Sequence, residues 1–132
     1  MKLRIGINGF GRIGRAIFRN NLEKDYFDIV CINDINPDIN NIAYLLKYDT
    51  TYGKLTSKIK IAGNKMIVDG NHIKISNEKN IEDVNWKGSD VDIIVDSSGV
   101  EENLSKARSL KNHVDYCKIQ AFFHKCFVCL CH

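Results

Sequence analysis

The residues with the clearest chemistry stand near the N-terminus. Gly9-Phe10-Gly11-Arg12-Ile13-Gly14 fits Gly-x-Gly-x-x-Gly, and an acid, Asp34, follows Gly14 by twenty residues. That spacing carries meaning when a strand precedes it and a helix opens on it. Each glycine then has a physical task. Gly9 permits a tight turn, Gly11 lets bare backbone approach a pyrophosphate, and Gly14 lets the helix pack close to the sheet. The first amides of the helix, those of Arg12 and Ile13, face the phosphates with the helix dipole behind them. Asp34 can accept hydrogen bonds from an adenosine ribose and repels a 2′-phosphate; Ile35 after it brings no compensating cation. The chemistry expected is binding of NAD in preference to NADP.

Other candidates carry less. Arg12, Arg15 and Arg19 recur at i,i+3 and i,i+4, which reads as a solvated or ion-paired helix face. A nucleic-acid patch needs more bases with interleaved aromatics. His72 reads as an exposed strand residue and Cys31 as a small buried thiol. Cys117, Cys126, Cys129 and Cys131 all fall in the last 16 residues, with His124 and His132 among them. Structural zinc joins two ligand pairs separated by a loop, whereas His124, Cys126, Cys129, Cys131 and His132 lie within nine residues, so no metal is expected. His132 is also a poor terminal residue for a prenylation signal on Cys129.

These residues need elements to hold them. Residues 2–8 are a short apolar-rich run, read as a buried strand, and Arg12 to Lys24 reads as a helix with Ile13/Ile17 and Phe18/Leu22 at i,i+4. Residues 28–34 form a second strand. After the turn at Asn36-Pro37-Asp38, Ile39, Ile42, Ala43 and Leu46 trace an amphipathic helix. The period then drops to two: residues 58–61, 66–68 and 72–75, broken at Gly63-Asn64 and Asp69-Gly70-Asn71, read as an antiparallel meander with one wet face. Residues 81–86 are a connector, residues 91–96 a buried strand, and Val100, Leu104 and Ala107 mark a further helix. Strands alternating with helices imply an α/β fold, a mostly parallel sheet with an antiparallel meander insertion. Such sheets bind ligands beyond the carboxyl ends of their strands, where strand order reverses. The glycine turn, Asp34 and Ser97-Ser98-Gly99 all map to those ends and are expected to meet in one crevice.

The chain has 132 residues, enough for one packed core and too few for two full domains. A net charge of +3 is too mild to argue for nucleic acid or an anionic membrane. No apolar run approaches the roughly 18 residues of a membrane helix. The start, broken by Arg4, Asn8 and Gly9, is no signal-peptide core. A reducing, cytoplasmic location is the expectation.

Gly6-Ile7-Asn8-Gly9-Phe10-Gly11-Arg12-Ile13-Gly14-Arg15 resembles the opening of the glyceraldehyde-3-phosphate dehydrogenase family. So do Ile32-Asn33-Asp34, Tyr48-Asp49-Thr50-Thr51-Tyr52-Gly53-Lys54 and Ser97-Ser98-Gly99-Val100, the last standing where the family usually has Ser-Thr-Gly-Val. The likeness covers about residues 2–111. It implies a Rossmann-type domain in which Asn8, Gly9 and Gly11 line the pyrophosphate turn and Arg12 and Ile13 supply backbone amides. It further implies that Asp34 takes the adenosine ribose and that Ser97, Ser98 and Gly99 flank the nicotinamide. Lys79 stands where the family usually has an Arg near the adenine; a backbone contact survives that exchange, a stacked guanidinium does not. The family is a homotetramer, and Asp49–Lys54 resembles a segment placed near a neighbouring subunit. Assembly of this chain is not thereby an expectation.

The departures are as informative. The family attacks its aldehyde with a cysteine thiolate in a Ser-x-Cys-Thr-Thr-Asn segment, activated by a histidine base. Neither that segment nor the domain that carries the histidine occurs here, so no residue of this chain is assigned a catalytic role. The expected organisation is an incomplete NAD-binding Rossmann domain over 1–111 and a divergent Cys-rich tail over 112–132, as a shifted frame or truncated gene would produce. That tail can still supply a strand around Tyr116 to Phe123. A sheet stopped early exposes an edge, so self-association is expected. Three functions remain open at this point: the coenzyme-binding part of such an oxidoreductase, erythrose-4-phosphate enzymes included; a stand-alone NAD-binding or regulatory module; and a non-functional fragment.

Overall fold

A computed structural model describes residues 2–106, residue 110, and residues 117–122 and 126–131; for the last two stretches, as for residue 104, only the backbone is described. The first strand, β1 (Arg4–Asn8), is buried along almost its whole length, as a strand covered on both faces must be. It turns through Gly9 and Gly11 into α1 (Arg12–Lys24), which buries Gly14 and Phe18. Phe10, inside the glycine motif, is itself a core residue and meets Phe18 edge to face at 5.8 Å. β2 (Asp28–Asn33) follows, then α2 (Ile39–Lys47), whose N-cap Asp38 accepts the amides of Asn40 and Asn41. A two-residue ladder, β3 (Tyr48–Asp49) with β4 (Gly53–Lys54), precedes the meander β5 (Ile59–Ala62), β6 (Lys65–Val68) and β7 (Asn71–Ser76). The connector contains two 3-10 turns, and β8 (Ile93–Asp96) leads to α3 (Glu102–Lys106).

The main sheet has the order β5-β6-β7-β2-β1-β8-β10-β9. Its centre, β7-β2-β1-β8, is parallel. The meander flanks it on one side, and its last strand, β7, is the one that joins it to β2. This is the Rossmann-type, mostly parallel core with an antiparallel insertion that the sequence predicts. On the other flank β10 (Cys126–Cys131) runs antiparallel to β8, and β9 (Cys117–Phe122) pairs with β10. β9 falls within the tail region expected to form a strand. The side chains nominated for zinc lie outside the described residues, as does Ala107 of the last helix. Among the described residues no helix is long and apolar enough to cross a membrane, and none form a metal-binding group.

The two faces of the sheet carry separate cores. One joins Ile5, Ile7, Ile32, Val95 and Met66 to Phe18, Ile42 and Leu46 of the helices. The other gathers Cys31, Ile81, Val84, Val91 and Ile94 around Trp86, fully buried, whose indole N–H donates to the Ile81 carbonyl at 2.9 Å. A side chain at Gly6 would stand 2.5 Å from the Trp86 ring, so this strand position has to be bare.

Candidate functional site

Parallel pairing places the carboxyl ends of β7, β2, β1 and β8 along one edge, with the strand order reversing on either side of β1. The three features mapped there by sequence do meet. The Gly9 amide donates to the Asn33 carbonyl at 2.7 Å, and the Ser97 amide donates to the Asn8 carbonyl at 2.8 Å. The Ser97 hydroxyl donates to the Gly9 carbonyl at 2.6 Å. Asp34 reaches back to the turn, accepting the Phe10 amide at 2.7 Å, and also accepts the Asn36 amide at 2.9 Å.

The glycines differ in what surrounds them. Gly9 has φ +88°, and a Cβ there would lie 2.5 Å from the Ser98 backbone nitrogen. A Cβ on Gly14 would lie 2.5 Å from the Gly9 carbonyl oxygen. Both are fixed by protein packing. A Cβ on Gly11 would meet nothing within 4 Å. Gly11 is therefore not required by the fold, and its bareness keeps clear a cradle at the helix start. Gly11 caps α1 with no side-chain hydrogen bond, so the amides of the first turn keep their donors. That turn carries Arg12 and Arg15 and no acid, the reverse of what the helix dipole favours. An anion at the helix start would offset that repulsion. Amides, a bare cradle, cations and a nearby acid facing the β2 side fit a diphosphate bearing an adenosine.

The remaining nominated residues follow the carboxyl ends of the parallel strands. Arg12 and Ile13 are exposed at the start of α1, and Lys79 is exposed on the loop after β7. Ser98 is exposed and Gly99, with φ +76°, is half-buried, both in the loop after β8. Of the arginine face, Arg12 is the solvated residue its spacing suggests, and Arg15 and Arg19 are not. Arg15 and Arg19 are half-buried because backbone carbonyls face them: Arg15 donates to the Phe10 carbonyl at 3.0 Å. Arg19 donates to the carbonyls of Leu46 (2.7 Å), Lys47 (3.1 Å) and Gly53 (2.9 Å), closing the C-terminal end of α2. Cys31 is buried and His72 exposed, as expected. A cleft of about 740 Å³ between α1 and residues 52–57 contains none of the nominated residues, and the one cation lining it, Arg19, is engaged by those carbonyls.

One constellation escaped the sequence reading. Ser76, Asn33, Asn8 and Asp96 occupy one register row across β7, β2, β1 and β8. Their side chains are linked in series: the Ser76 hydroxyl to Asn33 Oδ1 at 2.9 Å, Asn33 Nδ2 to Asn8 Oδ1 at 2.8 Å, and Asn8 Nδ2 to Asp96 Oδ1 at 2.8 Å. Asn8, Asn33 and Asp96 are all buried. A signal existed: each is the polar residue that ends an apolar strand.

Residues 3–104 match the family described as glyceraldehyde 3-phosphate dehydrogenase, NAD binding domain. Among curated proteins, the chain is 41% identical over 97 residues to glyceraldehyde-3-phosphate dehydrogenase 1 of Schizosaccharomyces pombe, covering 74% of this chain and 29% of that protein. It is 44% identical over 99 residues to the glyceraldehyde-3-phosphate dehydrogenase of Priestia megaterium, covering 75% and 29%. The enzyme of Schizophyllum commune is 39% identical over 107 residues, covering 81% and 32%. The chain thus spans about three-tenths of the length of these relatives.

Proposed function

Since the chain belongs to the glyceraldehyde 3-phosphate dehydrogenase NAD-binding domain family, we propose that it is the coenzyme-holding portion of a phosphorylating aldehyde oxidoreductase of glycolysis. The observation that carries this reading is the glycine turn: two glycines forced by packing and one, Gly11, left bare beside uncapped helix amides. When bound, NAD supplies the acceptor for the aldehyde hydride. The chain's own residues bind and orient. Asn8, Gly9 and Gly11 shape the turn, and Arg12 and Ile13 offer amides to the pyrophosphate. Asp34 accepts from the adenosine ribose while bracing the turn through Phe10. Lys79 flanks the adenine side, and Ser97, Ser98 and Gly99 border the nicotinamide side. In this reading the thiolate nucleophile and its base lie outside residues 1–111, and the chain alone turns over no aldehyde.

Titration calorimetry of the 132-residue chain with NAD and with NADP tests it. We expect NAD to bind and NADP to bind at least about tenfold more weakly, because Asp34 and a 2′-phosphate repel. Binding of neither would overturn the coenzyme assignment. An assay with aldehyde, NAD and phosphate is expected to show no turnover; measurable turnover would overturn the division of labour.

A further inference from the structure

The row of side chains that ends the four parallel strands has a direction, set at one end by Asp96 and at the other by the Glu78 backbone, whose carbonyl accepts Asn33 Nδ2 at 3.0 Å. Asp96 is 1% exposed, and its carboxylate can only accept. Asn8 must therefore present Nδ2 to it, which turns Asn8 Oδ1 toward Asn33. Asn33 must in turn present Nδ2, which leaves its Oδ1 to accept the Ser76 hydroxyl and the Glu78 amide at 2.8 Å. On the other side the Ser98 hydroxyl donates to Asp96 at 2.8 Å, and its lone pairs accept Asn103 Nδ2 at 3.1 Å and the Val100 amide at 3.3 Å. Asn103, buried on α3, also lies 3.4 Å from both oxygens of Asp96. Asp96 orders the row on the β8 side, and the Glu78 backbone orders it on the β7 side. The reverse polarity is closed off because the Glu78 amide can only donate.

We propose that Asp96 is a positioning residue for the dinucleotide, locking the loop after β8 to the glycine turn so that one ligand can span both. This rests on the NAD-binding reading above. An adenosine monophosphate needs only Asp34 and the amides of α1, on the β2 side of the turn. NAD needs the loop after β8 as well, in one placement. A buried, fully satisfied polar chain fixes that placement, whereas a chain with one donor misdirected leaves it loose.

The test is calorimetric titration of the full chain with NAD and with AMP, alongside thermal unfolding. The wild type should bind both; binding of neither would remove the NAD reading, and this inference with it. Asp96→Leu keeps the volume but removes the acceptor of Asn8 Nδ2 and of the Ser98 hydroxyl. We expect NAD to weaken about tenfold while AMP changes by less than about twofold. Wild-type affinity for NAD in a folded D96L, or equal loss of both ligands with lowered thermal stability, would overturn the positioning role and leave the NAD reading standing. If D96L does not fold, Asn103→Ala decides: NAD weakened severalfold with AMP held supports the role, and any other outcome overturns it.

Discussion

At the residue scale, the glycine turn separates positions the fold requires from one it leaves free. Gly9→Ala should cost about 2–4 kcal/mol of stability, since its φ is left-handed and its Cβ would collide with backbone. Gly11→Ala should leave stability within about 0.5 kcal/mol, because its Cβ meets nothing, yet weaken NAD at least about tenfold. Thermal melts paired with NAD titrations check both; a G11A variant that binds like wild type would remove the cradle. Asp34→Ala should weaken NAD by roughly 10- to 150-fold, the value of a charge-assisted bond of about 1.5–3 kcal/mol. It also frees the Phe10 amide, so a modest drop in melting temperature should accompany it. Cys31 reads differently. Burial pushes its thiol up, against smaller lowering effects of Ser89, Lys74 and Ser76. A raised folded value means the thiol's contribution to stability is complete below the unfolded value of about 8.5 and is lost as pH rises through the folded one. Denaturation midpoints should fall at alkaline pH, less so in Cys31→Ala, and peptide mapping should find Cys31 unalkylated in the native chain.

At the scale of elements, α1 does two jobs with one row of arginines. Its start faces the crevice, while Arg19 further along ties it to the carbonyls of Leu46 and Lys47 at the end of α2 and to Gly53 of β4. Arg19→Met keeps the aliphatic stem and removes the donors. It should cost about 1–3 kcal/mol, chiefly by leaving the Leu46 carbonyl without its donors, since the Lys47 carbonyl keeps the Leu55 amide, and should leave affinity for NAD unchanged. Urea denaturation with parallel titration distinguishes this from a ligand contact. The period-3.6 pattern made α1 and α2 legible, and alternation made β5 to β7 legible. The guanidinium contacts were not, because local spacing describes one helix face and says nothing of which carbonyls a second helix brings to it.

At the scale of the molecule, the parallel centre of the sheet builds the crevice and the antiparallel flanks extend it. A ligand that engages the crevice in the folded state alone stabilises the whole cooperative unit, by about 2.7 kcal/mol at a hundredfold excess over Kd. NAD should therefore raise the melting temperature in a concentration-dependent way, and AMP less. The edges are β5 and β9. Exposed tyrosines, Tyr44, Tyr48 and Tyr52, lie on and beside α2 and the small ladder. Unpaired strand edges and apolar rings favour association. Size-exclusion chromatography should show more than monomer; a single monomeric peak at high concentration would count against this.

The sequence by itself determined the glycine turn, the acid twenty residues on, and the alternation of periods that dictates an α/β sheet. These are local properties, set by backbone freedom and by which face of an element is apolar. Only the tertiary structure decided that Asn8, Asn33, Ser76 and Asp96 form one directed row, that Phe10 and Gly6 are packing positions, and that Gly11 alone among the motif's glycines is free of the protein. Those facts depend on strand register and on which elements become neighbours. Hydrogen bonds spanning 25 to 88 residues of chain are made by the fold's geometry, and no local pattern encodes them.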